Sequence, residues 1–183
     1  MSLSELKAAR EALLDPARAE ALAPQRARGK MTARERIAAL LDEGSVVEYG
    51  AFMTPNDAGR MQGVEAPAEG IISCIGTIEG RPVSLYATDF SVLGGSAGMT
   101  GAAKMSHMLH FAAQRGYPLI MLHDSGGHRI QEMDGREFAF GAPTSGFFQD
   151  QGLLSGWAPQ VAAIMGPAWA GVSAQASVGP SVL

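Results

Sequence analysis

Apolar and polar positions along the chain change their period at several points, and each change marks an element. Near the start, Leu3, Leu6, Ala9, Leu13 and Leu14 recur at close to helical spacing until Pro16 interrupts them. A second helical segment follows, carrying Arg18, Arg26, Arg28 and Lys30. Thr32-Ala33-Arg34-Glu35 has the spacing of a capping box, in which Thr caps the N3 amide and Glu reaches back. Ile37, Leu40 and Leu41 then share one helical face, and Gly44 closes the run. Residues 1–45 are therefore expected to form an N-terminal helical arm. Its apolar stripe predicts packing, with direct ligand contact by its arginines as the alternative.

Beyond the arm the period shortens. Thr54-Pro55-Asn56-Asp57-Ala58-Gly59, with Gly63, Pro67 and Gly70, predicts a loop over 54–70. Ile71–Ile78 and Pro82–Thr88 read as strands joined through Glu79-Gly80-Arg81, a hairpin in which Gly80 supplies the positive φ of a short turn. A glycine-rich loop, Asp89 to Gly98, leads to a helix over 99–115 with Met105, Met108, Leu109 and Ala112 inward. A strand over 118–123 comes next, then a glycine turn and a helical stretch from about 129 to 140. A short helix near 146–154, a strand over 161–165 and a last helix starting near Ala170 complete the chain. Strand, turn and helix alternate through this half, which predicts α/β layering.

Composition narrows the function classes. With 183 residues, 46% hydrophobic and 17% charged, the chain can bury a core of its own. Its net charge of −4 disfavours nucleic acid and anionic membrane as partners. No stretch has the length of a membrane span, and the N-terminus lacks the apolar core of a secretory signal. Cys74 is the single cysteine, which rules out an internal disulfide and a cysteine-rich zinc cluster and suits a reducing cytoplasm. No bound metal is expected.

Several groups of residues could carry chemistry. Gly94-Gly95-Ser96-Ala97-Gly98 follows a strand but completes neither the dinucleotide fingerprint nor the Walker pattern, so it reads equally as a turn or a ligand loop. His123, Asp124 and His128 lack the helical H-x-x-x-H spacing, and structural roles are favoured over metal ligation. Ser125 is outside a G-x-S-x-G context, which argues against a hydrolase elbow. Glu132 and Asp134 are candidate acid/base groups, with a solvated helix face as the simpler reading. The sharper signal is a pair of strand ends. The first apolar run, 117–122, enters Asp124-Ser125-Gly126-Gly127-His128-Arg129. The second, 161–165, enters Gly166-Pro167-Ala168-Trp169-Ala170-Gly171. Two strand ends that deliver main-chain N–H groups to one point can form an oxyanion hole.

The ordered motifs resemble the carboxyltransferase β subunits of biotin-dependent acyl-CoA carboxylases, of the propionyl-CoA and methylcrotonyl-CoA type. Gly29-Lys30-Met31-Thr32-Ala33-Arg34-Glu35-Arg36-Ile37 is similar to that family's N-terminal signature. Gly76 to Val83 resembles its hairpin, and Asp89 to Ser96 its glycine loop. Asp124 to Glu132 resembles its DSGGARIQE segment. Ser155-Gly156-Trp157-Ala158-Pro159-Gln160 and Ile164-Met165-Gly166-Pro167 resemble the two segments that follow. The likeness covers nearly the whole chain.

This resemblance implies a crotonase-like β-β-α spiral, incomplete here, over residues 46–183, behind the helical arm. It implies an acyl-CoA substrate whose thioester enolate is held by the backbone N–H groups of His128 and of Gly171, or of Ala170. Substrate contacts would come from Gly94, Gly95, Ser96, Gly126, Gly127, Arg129, Gly166 and Trp169, with Arg34, Arg36 and Arg129 as phosphate candidates by charge. Carboxybiotin would be supplied by a biotin carboxylase or biotin carboxyl carrier subunit. The partner in the site would be a second copy or a C-terminal carboxyltransferase half, because the match ends before the family's N-terminal half does. Two departures stand out. His128 replaces the family's usual Ala, where an imidazole narrows or polarises the acyl pocket. Ala168-Trp169-Ala170-Gly171 replaces Cys-Ala-Gly-Gly. Two other readings stay open: a stand-alone crotonase-type decarboxylase or hydratase using His128 or Glu132, and a non-catalytic acyl-CoA-binding fragment.

Overall fold

The structure is a computed structural model, which describes residues 2–55, 59–132, 144–169, 171, 174, 177 and 181–182. Among them, six strands form one mixed sheet in sequence order. They are β1 (Val47–Tyr49), β2 (Ile71–Ile78), β3 (Arg81–Thr88), β4 (Leu119–Ser125), β5 (Gln160–Ala168) and β6 (Ser181–Val182). β1, β2 and β3 are antiparallel neighbours. β4 runs parallel to β3, β5 to β4 and β6 to β5. The helices are α1 (Leu3–Glu11), α2 (Ala19–Ala27), α3 (Ala33–Leu40), α4 (Met99–Arg115) and α5 (Thr144–Leu154), and Gly171, Ala174 and Ser177 are also helical. Among the described residues no helix is long and apolar enough to cross a membrane.

The β2–β3 hairpin turns more tightly than its sequence suggests. Glu79 and Gly80 take φ values of 51° and 74°, the paired positive values of a two-residue type I′ turn. Arg81 therefore pairs with Ile78 and opens β3 instead of sitting in the turn.

The sheet is covered on both faces, so its central strands lack visible alternation. Leu119 and Met121 join Ile71, Tyr86, Met105, Met108, Leu109 and Phe147 in one apolar cluster under α4 and α5. Ile120 and Leu122 join Ile72, Cys74, Leu85, Ala87 and Ile37 in the other, under α3. Every residue of β4 is consequently buried. Burial pushes the Cys74 thiol up to about 12, which marks it as a packing residue without nucleophilic character.

The later part of the arm is built as its pattern predicts, whereas the expected packing stripe at its start is not: α1 buries none of its residues, and Leu3, Leu6 and Leu14 are exposed. Thr32 Oγ1 accepts from the Glu35 N–H at 3.1 Å, and Glu35 Oε2 accepts from the Thr32 N–H at 2.8 Å. The same hydroxyl donates to Asp15 Oδ2 at 2.5 Å, tying α3 to the turn that Pro16 opens. α4 runs from Met99 to a left-handed Gly116 cap, with Met105, Met108, Leu109 and Ala112 buried as expected. Two differences concern the second half. β5 is longer than its apolar core and reaches Ala168. The described part of the expected 129–140 helix is one 3-10 turn, Ile130–Glu132, while residues 133–143 lie outside the described residues.

Because the Thr32 hydroxyl both caps α3 and bonds Asp15, Thr32→Ala is expected to cost about 1–2 kcal/mol, a typical value for an N-cap. Urea denaturation of the two proteins checks this; an unchanged midpoint would mean that the arm adds nothing to stability.

Candidate active site

β4 and β5 end side by side. After a shift in register beyond His123, Ser125 pairs with Ala168. The two glycine turns therefore meet. Gly127 has φ 94°, and a Cβ built on it would stand 2.9 Å from the Trp169 carbonyl oxygen. Only glycine satisfies both conditions. His128 forms a parallel bridge with Ala97, in which Ala97 N–H donates to Gly127 O and Arg129 N–H donates to Ala97 O, both at 2.9 Å. Such a bridge uses the neighbours of His128, so the N–H and C=O of His128 itself face away from Ala97.

The imidazole of His128 reaches across to Gly171. Its Nε2 occupies the place a Gly171 Cβ would take, with Cε1 and Cδ2 3.0 and 3.2 Å from that point. The ring is half-buried, and burial holds its pKa below the ordinary value of 6.5. Trp169 is non-helical and Gly171 helical, which puts Gly171 in the first helical turn. N–H groups there have no intrahelical acceptor. Ala170, the alternative donor, lies outside the described residues. The structure thus brings together His128, Gly171, Gly127 and Trp169, and leaves Trp169 68% exposed at the edge of the junction.

The glycine loop braces this junction from the other side. Gly126 N–H donates to Gly94 O at 2.8 Å, and Ser125 Oγ donates to Gly95 O at 2.6 Å while accepting from the Gly127 N–H at 3.0 Å. The N–H groups of Gly95 and Ser96 close turns inside the loop, on Val92 O and Leu93 O. These two donors support the loop and are not presented as a phosphate nest.

Arg129 works inside the protein. Its guanidinium is 1% exposed and pairs with Glu69 Oε1 at 2.6 Å and Glu132 Oε1 at 2.9 Å. It also donates to Ser96 O at 2.8 Å. Burial raises the Glu69 carboxyl above its ordinary value, although Arg129 opposes this. Glu132 Oε2 accepts from the Met99 N–H at 2.8 Å, at the start of α4, so Glu132 is a strut and not part of a solvated face. Asp134 lies outside the described residues. The turn carrying Glu69 is held in its turn by Lys104, whose Nζ bonds Ala68 O and Ile71 O. Burial lowers the Lys104 pKa to about 8. Neither Glu69 nor Lys104 stands out in the sequence, since each reads as an isolated charge.

Asp124 gathers the arm. Its carboxylate accepts from Arg36 at 2.8 Å, Gln25 at 3.0 Å and Lys30 Nζ at 3.1 Å, and its own N–H donates to Thr88 Oγ1 at 2.7 Å. The carboxylate lies directly over Gly166 of β5, where any Cβ would strike it. Burial works against its charge, but hydrogen bonds from Arg36, Gln25 and Lys30 and the charge of Arg36 hold its pKa below 3.8. Arg36 is thus an internal cation, and Arg34 pairs with Glu48 at 2.9 Å. His123 points to the opposite face, edge-on to Tyr86 at 5.6 Å. Fully buried with no hydrogen-bond partner on either nitrogen, it is neutral, with its pKa lowered to about 4.

Residues 24–180 match the carboxyl transferase domain family. The propionyl-CoA carboxylase beta chain of Roseobacter denitrificans is 42% identical over 144 residues, which are 78% of this chain and 28% of that one. The methylmalonyl-CoA decarboxylase subunit alpha of Veillonella parvula is 41% identical over the same shares. Among solved structures, the transcarboxylase 12S hexamer with hydrolysed methylmalonyl-coenzyme A bound superposes with a TM-score of 0.90 and 34% identity, over 98% of this chain and 35% of that one. The fold is accordingly the crotonase-like α/β fold of the carboxyltransferases. The chain spans less than a third of the length of these curated relatives.

Two outcomes follow from the buried charges. Arg129→Met strands Glu69 and is expected to cost about 3–5 kcal/mol, the usual penalty for breaking a buried pair. Denaturation of Arg129→Met and of Arg129→Met with Glu69→Gln measures this, and the second substitution should restore part of the loss. Asp124 has a folded pKa below its unfolded value of 3.8. Its stabilisation is complete above the unfolded pKa and is lost as pH falls through the folded one. Stability of Asp124→Asn should therefore depend less on pH than that of the parent below about pH 4, as read from thermal midpoints across an acid series.

Proposed function

The chain belongs to the carboxyl transferase domain family, and we propose that it forms the acyl-CoA half-site of a biotin-dependent acyl-CoA carboxylase. The observation that carries this reading is the meeting of the two strand ends, with the His128 N–H turned away from Ala97 and Gly171 in a first helical turn. In this reading the thioester oxygen of an acyl-CoA accepts from the N–H groups of His128 and Gly171, with Ala170 as the alternative to Gly171. Negative charge that develops on that oxygen as the enolate forms is met by fixed main-chain donors. Each such donor contributes about 3 kcal/mol to the transition state. Carboxybiotin on a carrier protein would supply CO2, its ureido nitrogen, left anionic by that loss, would take the α-proton, and the enolate α-carbon would then bond to the CO2.

Main-chain donors suit this task because their aim is set by the fold. Gly127, the Gly94–Ser96 loop and the Arg129 pairs fix the β4 turn, and Gly166 and Asp124 fix β5 against it. Gly126 and Trp169 stand at the exposed edge where a pantetheine chain would enter. The biotin-receiving surface would come from a C-terminal carboxyltransferase half or a second copy, and a biotin carboxylase would recharge the carrier. A lone, buried cysteine suits a cytoplasmic setting. The same donors would stabilise the enolate left by decarboxylation of an α-carboxyacyl-CoA, and the 41% identity to a decarboxylase subunit keeps that second reading in view.

Isothermal titration with propionyl-CoA and with free CoA tests the half-site. Propionyl-CoA should bind more tightly than CoA, and Gly127→Ala should weaken it at least tenfold by displacing the β4 turn, a change of about 1.4 kcal/mol. Equal affinity for CoA and its thioester would exclude an oxyanion site. Loss of CO2 from methylmalonyl-CoA, followed by mass, would favour decarboxylation.

A further inference from the structure

The position of the His128 ring says which acyl groups such a site admits. We propose that the His128 imidazole is a fixed wall of the acyl pocket that limits the chain to short acyl groups. The inference rests on the half-site reading above. A carbonyl oxygen bonded by both the His128 and Gly171 N–H groups stands about 3 Å from each. The acyl carbons attached to that carbonyl must then leave through the space beside these two residues. The ring extends across that gap, from the β4 turn to the Cα of Gly171, and its Nε2 takes the room a Gly171 Cβ would need.

The wall is held at both ends. At its base, the bridge to Ala97 fixes the His128 backbone through two hydrogen bonds of 2.9 Å. At its tip, Gly171 blocks further rotation toward the last helix, with Cε1 and Cδ2 3.0 and 3.2 Å from the Cβ position. Arg129, the next residue, is immobilised by Glu69, Glu132 and Ser96. A ring placed in this way is stopped by Gly171 when it turns toward the last helix. Burial holds the pKa of the imidazole below its ordinary value, which favours the neutral ring. A rigid wall discriminates about 10–200-fold for each methylene that fails to fit.

Two experiments test the proposal. Titration with CoA, acetyl-, propionyl-, butyryl- and hexanoyl-CoA is performed on the parent and on His128→Ala. The parent should favour acetyl- and propionyl-CoA, and His128→Ala should gain at least tenfold for hexanoyl-CoA relative to propionyl-CoA. An unchanged ratio overturns the wall while leaving the half-site standing. Failure of every thioester to bind better than CoA overturns the half-site itself, and the wall with it. The second experiment needs no ligand. Gly171→Ala should lower the urea midpoint in the parent, because its methyl meets the ring, and should have at most half that effect in the His128→Ala background. Equal effects in both backgrounds would show that the ring does not rest on Gly171 and would overturn the proposal.

Discussion

The buried carboxylate of Asp124 is the constraint on which the rest of this structure depends. It sits at the end of the central strand β4, 1% exposed, and receives hydrogen bonds from Arg36, Gln25 and Lys30 of the N-terminal arm. A carboxylate removed from water is costly unless charge and hydrogen bonds replace its hydration. Here the replacement comes from residues some 90 positions earlier in the chain. The arm is therefore bound to the sheet by electrostatics as well as by the apolar contacts of Ile37 and Leu41. Because the same carboxylate lies over Gly166, one ion cluster sets the spacing between β4 and β5 at the point where both strands release their turns.

A second buried cluster completes the frame from the opposite side. Arg129 binds the turn before β2 through Glu69, the glycine loop through Ser96, and the start of α4 through Glu132, which accepts from the Met99 N–H. Between the two clusters lie only Ser125, Gly126, Gly127 and His128, the segment from which the oxyanion donor is proposed. Rigid scaffolds around a short segment are what preorganised main-chain donors require, since their energetic contribution depends on not having to reorient during reaction. The charged residues near the junction act mainly as this scaffold.

Much of the fold was legible in the sequence because it is encoded locally. The Thr32–Glu35 cap, the β2–β3 hairpin, the Met105–Ala112 face of α4 and the two apolar runs that end in glycine all depend on residues close in the chain. The ion clusters were not legible, because nothing local distinguishes a lysine that will meet Asp124 from one that stays in water. Arg129 and Glu132 show the limit most clearly. By charge alone they read as a phosphate ligand and a solvated helix position, yet the helix they were assigned to is a single described turn and both side chains point into the protein. The position of His128 over Gly171 was equally hidden, since it depends on how two strand ends 43 residues apart are stacked.

The central claim is that two main-chain N–H groups at this junction polarise a thioester carbonyl. Isotope-edited infrared difference spectroscopy of propionyl-CoA labelled with 13C at the thioester carbonyl, in the presence of saturating protein, observes that bond directly. Bound to the parent, the carbonyl stretch should move to lower frequency than in water, and the shift should shrink in Gly127→Ala. A bound thioester whose carbonyl stretch matches the free molecule in buffer would contradict the account.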